Sequence, residues 1–156
     1  MRKCCMFNES DAEKAYAGAD FEQVERYPAI LYGHRLDDNG VYWMCNGYRE
    51  LLKCRKCGNY VLLQYHFMKD PYDDGCGDIE DIVIYPVDSP DDADVINRMY
   101  EGLLEHKLDR LHLVRSWCET GDFITGEEKT DYYFLDGTGH NQAKVCGEKI
   151  EGKYSK

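Results

Sequence analysis

Short segments with the apolar pattern of β-strands are spread along the chain. In residues 61–67, every second residue is apolar and would share one face of a strand. Asn-Gly pairs at 39–40 and 46–47 are suited to tight turns between strands. Further segments with strand-like composition lie at 41–45, 48–53, 81–85 and 132–135. Together these segments predict an antiparallel sheet of about four to six strands.

Apolar residues follow helical spacing after the predicted strand at 81–85. Ser89 is a natural N-cap, and Pro90 suits the first helical turn. Apolar residues then recur every three or four positions, which predicts one long helix over about 90–112 that packs on the sheet. A capping box at 10–13 predicts a short N-terminal helix. Residues 21–26 are interpreted as another turn or two of helix.

The predicted elements fit one globular domain of the α+β class over residues 1–156. A chain of 156 residues, 43% of them hydrophobic, is long enough to bury a core. Residues 151–156 are polar and are predicted to form a frayed tail.

The candidate chemistry is concentrated in the sequence Cys54-Arg-Lys-Cys57-Gly58. Two thiols three positions apart can direct both sulfurs at one point, and Gly58 can take the positive φ that closes such a turn. The spacing is that of half a zinc site, so we predict a zinc-knuckle turn at 54–57 with Zn²⁺ as the cofactor. A dithiol is the other interpretation.

A complete zinc site needs two further ligands, and the chain has no second C-x-x-C pair. We consider Cys45 and Cys76 the candidates, because Cys45 could meet Cys54 across a hairpin and Cys76 lies in a Gly-Cys-Gly loop. The other possible ligands are a histidine and the remaining cysteines, Cys4, Cys5, Cys118 and Cys146. Because Cys4 and Cys5 are adjacent, we expect at most one of them to bind.

Catalytic signatures are weak in this sequence. A C-x-x-C oxidoreductase places its first cysteine at a helix N-terminus, whereas Cys54 and Cys57 are flanked by strand-like residues. No nucleophile elbow, phosphate loop or H-E-x-x-H motif is present. We therefore expect no catalytic residues. The alternative is a small thiol-based enzyme or redox protein that uses the Cys54/Cys57 pair or a cysteine-histidine pair.

The net charge of −11 restricts the partners of this protein. Such a surface repels phosphate backbones and anionic lipids, which argues against nucleic-acid and membrane partners, and it favours a basic protein. The N-terminal residues lack the apolar segment of a signal peptide, so we expect a cytoplasmic location. The candidate partner-binding residues combine a carboxylate cluster with two aromatic anchors: Asp73, Asp74, Asp78, Trp43 and Trp117.

The combination of acidic surface, many aromatic residues and missing catalytic motifs predicts a non-enzymatic interaction protein. Its physical type is an immunity or inhibitor protein that neutralises a basic partner, with carboxylates in place of the phosphates that a nuclease binds. One structural zinc would stabilise it.

Overall fold

The computed structural model describes residues 3–27, 33–36, 42–69, 78–99, 110–120 and 127–135. The predicted turn at 39–40 and the predicted tail at 151–156 lie outside these residues. Seven strands within the described part of the chain form one antiparallel sheet: β1 (Phe21–Arg26), β2 (Gly33–Leu36), β3 (Tyr42–Cys54), β4 (Tyr60–Lys69), β5 (Ile79–Val87), β6 (His112–Thr120) and β7 (Glu127–Leu135).

The sheet is a meander from β3 to β7, with both early strands added to β3. Strand β1 pairs with the end of β3, Phe21 opposite Cys54, and β2 pairs with its beginning, Leu36 opposite Tyr42. The predicted antiparallel sheet is therefore confirmed. No local pattern predicted that β3 would run unbroken for 13 residues.

Three short helical segments accompany the sheet in the described residues. A 3₁₀ turn spans Cys5–Asn8, helix α1 spans Ala12–Ala17, and helix α2 spans Pro90–Met99. The predicted short N-terminal helix is present, but its N-cap is Asp11, whose carboxylate accepts a hydrogen bond from the Lys14 N–H at 3.1 Å. No helix among the described residues is long and apolar enough to cross a membrane.

The prediction of one long helix over about 90–112 is not supported. Helix α2 is ten residues long, and the chain is already in strand β6 from His112. The Arg110 guanidinium is 2.8 Å from the Asp92 carboxylate in the first turn of α2. One continuous helix would separate these two residues by about 27 Å along its axis, so the chain turns back before Arg110. Most of the apolar residues that predicted the longer helix lie at 100–109, outside the described residues.

Two local predictions were also wrong, and pairing with β3 explains both. Residues 21–26 form β1 instead of helical turns, because the edge of β3 supplies backbone partners from Glu50 to Cys54. The Asn46–Gly47 pair forms no turn but lies within β3, where Gly47 is opposite His66. Pairing with a distant strand therefore overrides a local helix prediction at 21–26 and a local turn prediction at 46–47.

Helix α2 covers one face of the sheet, and the N-terminal segment, residues 3–20, covers part of the other. The core beneath α2 contains Leu51, Leu62, Val83, Tyr85, Ala93, Ile96 and Val114. The core beneath the N-terminal segment contains Cys4, Met6, Ala12, Ala15, Leu52, Cys54, Val61, Ile84 and Leu113. Alternate residues of β3 to β6 therefore enter two separate cores, and two of the cysteines belong to the second.

Candidate metal centre

The turn between β3 and β4 is closed by backbone hydrogen bonds and by one left-handed residue. Gly58 has φ of 77°, a conformation that costs an L-residue with a Cβ about 1–2 kcal/mol. Its N–H donates to the Cys54 carbonyl, and the Cys54 N–H donates to the Asn59 carbonyl, both at 2.8 Å. The turn thereby holds Cys54 and Cys57 close together, as the sequence predicts.

The N-terminal segment brings two more thiols to this turn. Cys4 is extended, with φ of −56° and ψ of 142°, and the chain bends into the 3₁₀ turn at Cys5. The Asn59 side-chain amide donates to the Lys3 carbonyl at 3.0 Å and holds the segment in place. We call Cys4, Cys5, Cys54 and Cys57 the four-cysteine cluster, because their Sγ atoms all lie within 4.8 Å of one another.

Two sulfur-sulfur distances in the cluster match those of tetrahedral coordination. The Sγ atoms of Cys5 and Cys54 are 3.7 Å apart, and those of Cys4 and Cys57 are 3.9 Å apart. A tetrahedron with Zn–S bonds of about 2.3 Å has sulfur-sulfur edges of about 3.8 Å. A disulfide requires sulfurs about 2 Å apart. The four cysteines lie close enough together to bind one metal ion.

Electrostatics in the cluster disfavour several thiolates together without a cation. Desolvation by burial, helped by the neighbouring sulfurs, raises the pKa of Cys4 and of Cys5. At Cys57 desolvation also acts to raise the pKa, but the N–H groups of Cys5 and Asn59 outweigh it and lower the pKa to about 7. A bound cation would reverse the repulsion among the sulfurs and favour thiolates throughout.

Polar contacts around the cysteine turn tie it to the chain between α1 and β1. The Arg55 guanidinium is 3.1 Å from the Asp20 carboxylate, and the Arg55 N–H donates to the Asp20 carbonyl at 2.8 Å. The Lys56 ammonium donates to the Gly18 carbonyl. The four-cysteine cluster and these contacts together fasten both ends of the N-terminal segment to one hairpin.

A pocket of about 170 Å³ opens beside the cluster, between the N-terminal segment and the cysteine turn. Its lining includes three of the four cysteines together with both apolar and charged residues: Cys4, Cys5, Cys54, Met6, Glu9, Lys14, Ala15, Gly18, Ala19, Asp20, Phe21 and Lys56. The pocket therefore borders Cys4, Cys5 and Cys54, and Cys57 is not part of its lining.

The other cysteines that the sequence offered as zinc ligands are not part of the four-cysteine cluster among the described residues. Cys45 lies on β3, nine residues before Cys54, which at about 3.3 Å per residue is roughly 30 Å along one strand. It is on the same strand as Cys54 and not across a hairpin from it, so it does not reach the cluster. Cys76 and Cys146 lie outside the described residues. Cys118 on β6 is disulfide-bonded.

Cys4 and Cys5 are the members of the four-cysteine cluster that the sequence did not predict as a pair. Adjacent cysteines in an extended strand point to opposite sides, and for that reason only one was expected to bind. The bend at the start of the 3₁₀ turn brings both sulfurs to the same side of the chain. The only signal in the sequence was the Cys-Cys pair itself, about 50 residues from its partners.

The candidate partner-binding residues are only partly described. Asp78 precedes β5, and its carbonyl accepts a hydrogen bond from the Glu119 N–H at 3.1 Å. Trp117 on β6 is half-buried, opposite Glu80 and Thr130 of the neighbouring strands. Trp43 pairs with Arg35 of β2 through the backbone. Asp73 and Asp74 lie outside the described residues, so the proposed acidic face stays a prediction.

A second group of polar residues is buried on the sheet face that α2 packs against. His66, Asp81 and Ser116 are opposite one another on β4, β5 and β6, and each is at most 3% exposed. Burial lowers the pKa of His66 to about 4 and raises the pKa of Asp81 to about 7, although a hydrogen bond from Ser116 opposes the second shift. Because sheet faces alternate, this group lies on the opposite side from the N-terminal segment.

Comparison with protein-family models, with curated proteins and with solved structures finds no match for this chain.

Proposed function

We propose that this protein is a non-enzymatic, acidic interaction protein whose N-terminal segment is held in place by one structural Zn²⁺ in the four-cysteine cluster. The observation that carries the metal part of the proposal is the convergence of four sulfurs within 4.8 Å of one another, two pairs of them at 3.7 and 3.9 Å.

Zinc is the metal that suits this ligand set best. Four thiolates select soft or borderline ions, and tetrahedral sulfur coordination is typical of structural zinc. Iron also binds four thiolates in this geometry, and the metal analysis below separates the two. In a four-cysteine site every coordination position is taken by protein, which leaves none for substrate or water. This supports a structural role over a catalytic one.

The location of the cluster indicates what the zinc would stabilise. The N-terminal segment contributes Met6, Ala12 and Ala15 to the core over one face of the sheet. Helix α1 is only six residues long and would be marginal alone. A metal that joins this segment to the β3–β4 hairpin would supply the stability that the short helix lacks.

The partner proposal rests on charge. The protein has a net charge of −11, and both outer regions of the sheet carry exposed carboxylates, among them Glu22, Glu25, Glu119 and Glu128. Such a surface would accelerate encounter with a basic protein and would disfavour nucleic acid. An immunity or inhibitor protein is the physical type that combines these properties.

Thiol chemistry is the second candidate function, and one observation favours it. Cys57 is exposed, and its pKa is lowered to about 7, so its thiolate would be available at neutral pH if no metal were bound. Iodoacetamide distinguishes the two functions. A thiol enzyme as purified should show one cysteine that reacts far faster than the others, whereas a zinc-filled cluster should react slowly until a chelator is added.

Cobalt substitution tests the metal part of the proposal. Protein refolded with Co²⁺ should develop the intense visible bands of tetrahedral cobalt together with sulfur-to-cobalt charge transfer. Replacing one ligand, Cys4→Ser, should shift and weaken both. Cys45→Ser is the matched control and should leave the spectrum unchanged. Octahedral bands, or no thiolate charge transfer in the wild type, would contradict a four-cysteine site.

Retention of basic proteins from a lysate tests the partner part. Wild-type protein on a resin should retain a polypeptide of high isoelectric point that elutes as salt is raised. The variant Asp73→Lys, Asp74→Lys, Asp78→Lys should retain less of it and show a weaker dependence on salt. If wild type and variant retain the same proteins with the same salt dependence, the acidic face is not the binding surface.

A further inference from the structure

We propose that Cys57 is a site of peroxide oxidation, and that oxidation joins Cys57 to Cys4 in a disulfide and expels the metal. This inference rests on the proposed zinc site and adds a redox control to it.

Exposure differs sharply within the four-cysteine cluster. Cys4 is 0% and Cys54 2% exposed, Cys5 is intermediate, and Cys57 is exposed. Structural zinc sites resist oxidation when their sulfurs are shielded from solvent, and thiolate oxidation follows accessibility. Cys57 is the most exposed residue of the four. An oxidant would therefore meet the sulfur of Cys57 first.

The neighbours of Cys57 supply both a stabilised sulfur and a second thiol. The Cys5 N–H donates to the Cys57 Sγ at 3.3 Å, which supports negative charge on that sulfur. The Cys4 Sγ lies 3.9 Å from the same sulfur. Closure to a disulfide needs the two sulfurs to approach to about 2 Å. The partner for the second step is thus already in place.

The reaction balances with hydrogen peroxide as the oxidant. The Cys57 thiolate attacks one peroxide oxygen, the O–O bond breaks, and the products are a sulfenic acid and hydroxide. The Cys4 thiolate then attacks the sulfenic sulfur and displaces a second hydroxide, which leaves a Cys4–Cys57 disulfide. The two sulfurs lose two electrons in total, and the two peroxide oxygens gain them.

Loss of the metal follows from the ligand count. A disulfide sulfur is a poor ligand compared with a thiolate, so only Cys5 and Cys54 would remain to hold zinc. The new bond would still connect the N-terminal segment to the cysteine turn. Oxidation would therefore exchange a metal cross-link for a covalent one at the same place in the fold.

The experiment compares zinc release from three proteins treated with hydrogen peroxide, monitored by a chromogenic chelator and followed by non-reducing peptide mapping. Cys57→His keeps a three-cysteine, one-histidine set, which is a common zinc site, but has no exposed sulfur. Cys5→His has the same ligand types and retains Cys57. We expect zinc release to be at least about tenfold slower in Cys57→His than in wild type, and within about twofold of wild type in Cys5→His.

The peptide map should show Cys4 joined to Cys57 in oxidised wild type. Equal release rates from Cys57→His and wild type would overturn the proposal, as would oxidation that leaves Cys57 unmodified. If the chain takes up no zinc, the metal part of the proposed function fails. The map of metal-free protein then still decides whether Cys57 is oxidised first and whether Cys4 is its partner.

Discussion

The backbone N–H of Cys5 donates a hydrogen bond to the Sγ of Cys57, 3.3 Å away, across 52 residues of sequence. Such N–H···S contacts are common around metal-bound thiolates, because they spread the negative charge of the sulfur. Cys5 therefore contributes both a sulfur and a backbone donor to the same cluster. This relationship joins the start of the chain to the turn between β3 and β4.

Removing one ligand should cost the protein much of the stability that the metal gives. Cys54→Ser and Cys4→Ser should each lower the free energy of unfolding by about 2–5 kcal/mol, as expected for loss of a structural metal. The measurement is denaturant unfolding with and without a chelator. The chelator should destabilise wild type to the level of the variants and have little further effect on them. A chelator that destabilises the variants and wild type equally would show that these cysteines hold no metal.

The N-terminal segment should loosen when the metal is removed. Its contacts with the sheet include a core around Met6, ring contacts of Phe7 with Phe134 and of Tyr16 with Tyr132, and the polar contacts of Arg55 and Lys56. The metal would add a cross-link at the start of the segment. Hydrogen exchange should speed up at residues 5–17 in chelator, by about tenfold or more. Strands β4 and β5, at the centre of the sheet, should stay protected. Uniform loss of protection across the sheet would instead indicate global unfolding.

Gly58 should be intolerant of ordinary side chains because of its backbone conformation alone. Gly58→Ala should lower the free energy of unfolding by about 1–2 kcal/mol, since φ of 77° is unfavourable for alanine. A Cβ there would meet no atom within 4 Å, so crowding does not contribute. Gly58→Asn is the matched control and should recover part of the loss, because asparagine tolerates this conformation. Equal losses for both variants would point to a cause other than φ.

The buried pair of His66 and Asp81 should give two opposing pH dependences. The pKa of Asp81 is raised from 3.8 to about 7, so the folded state holds this proton more tightly and stability falls as pH rises from about 4 to 7. The pKa of His66 is lowered from 6.5 to about 4, so its contribution is present above pH 6.5 and is lost as pH falls toward 4.

A variant that lacks one of these two titratable groups should show the pH dependence of stability that the other group causes. Relative to wild type, Asp81→Asn should gain stability as pH rises from about 4 to 7, and His66→Gln should lose it, each by on the order of 2 kcal/mol. The measurement is urea unfolding at several pH values, read as the difference from wild type so that metal loss at low pH cancels. Parallel profiles for all three proteins would show that neither group titrates differently in the fold.

The sequence predicted the local features of this protein better than its long-range ones. The strand pattern at 61–67 and the Cys54–Cys57 turn followed from residue spacing within a few positions. The mistaken helix at 21–26 and the mistaken turn at Asn46–Gly47 both depended on pairing with β3, which no local pattern shows. The overlong helix failed because the chain turns back before Arg110, which pairs with Asp92 at the start of α2, and apolar spacing does not show such a reversal.

The four-cysteine cluster also shows that local features were predicted and long-range contacts were not. Half of the four-cysteine cluster was visible as a C-x-x-C pair, because two ligands on one turn leave a fixed spacing. The other half, Cys4 and Cys5, meets the turn only after the N-terminal segment packs on the sheet. The spacing in sequence between cysteines on separate elements carries no information about their distance in space, and for that reason the sequence did not group Cys4 and Cys5 with the turn.

The metal content of the full-length protein, purified without chelators, tests the account most directly. Elemental analysis should give about one zinc per chain in wild type and much less in Cys4→Ser and Cys57→Ser. Wild-type protein with less than about 0.2 zinc per chain, and no uptake when zinc is supplied to the reduced protein, would contradict the account.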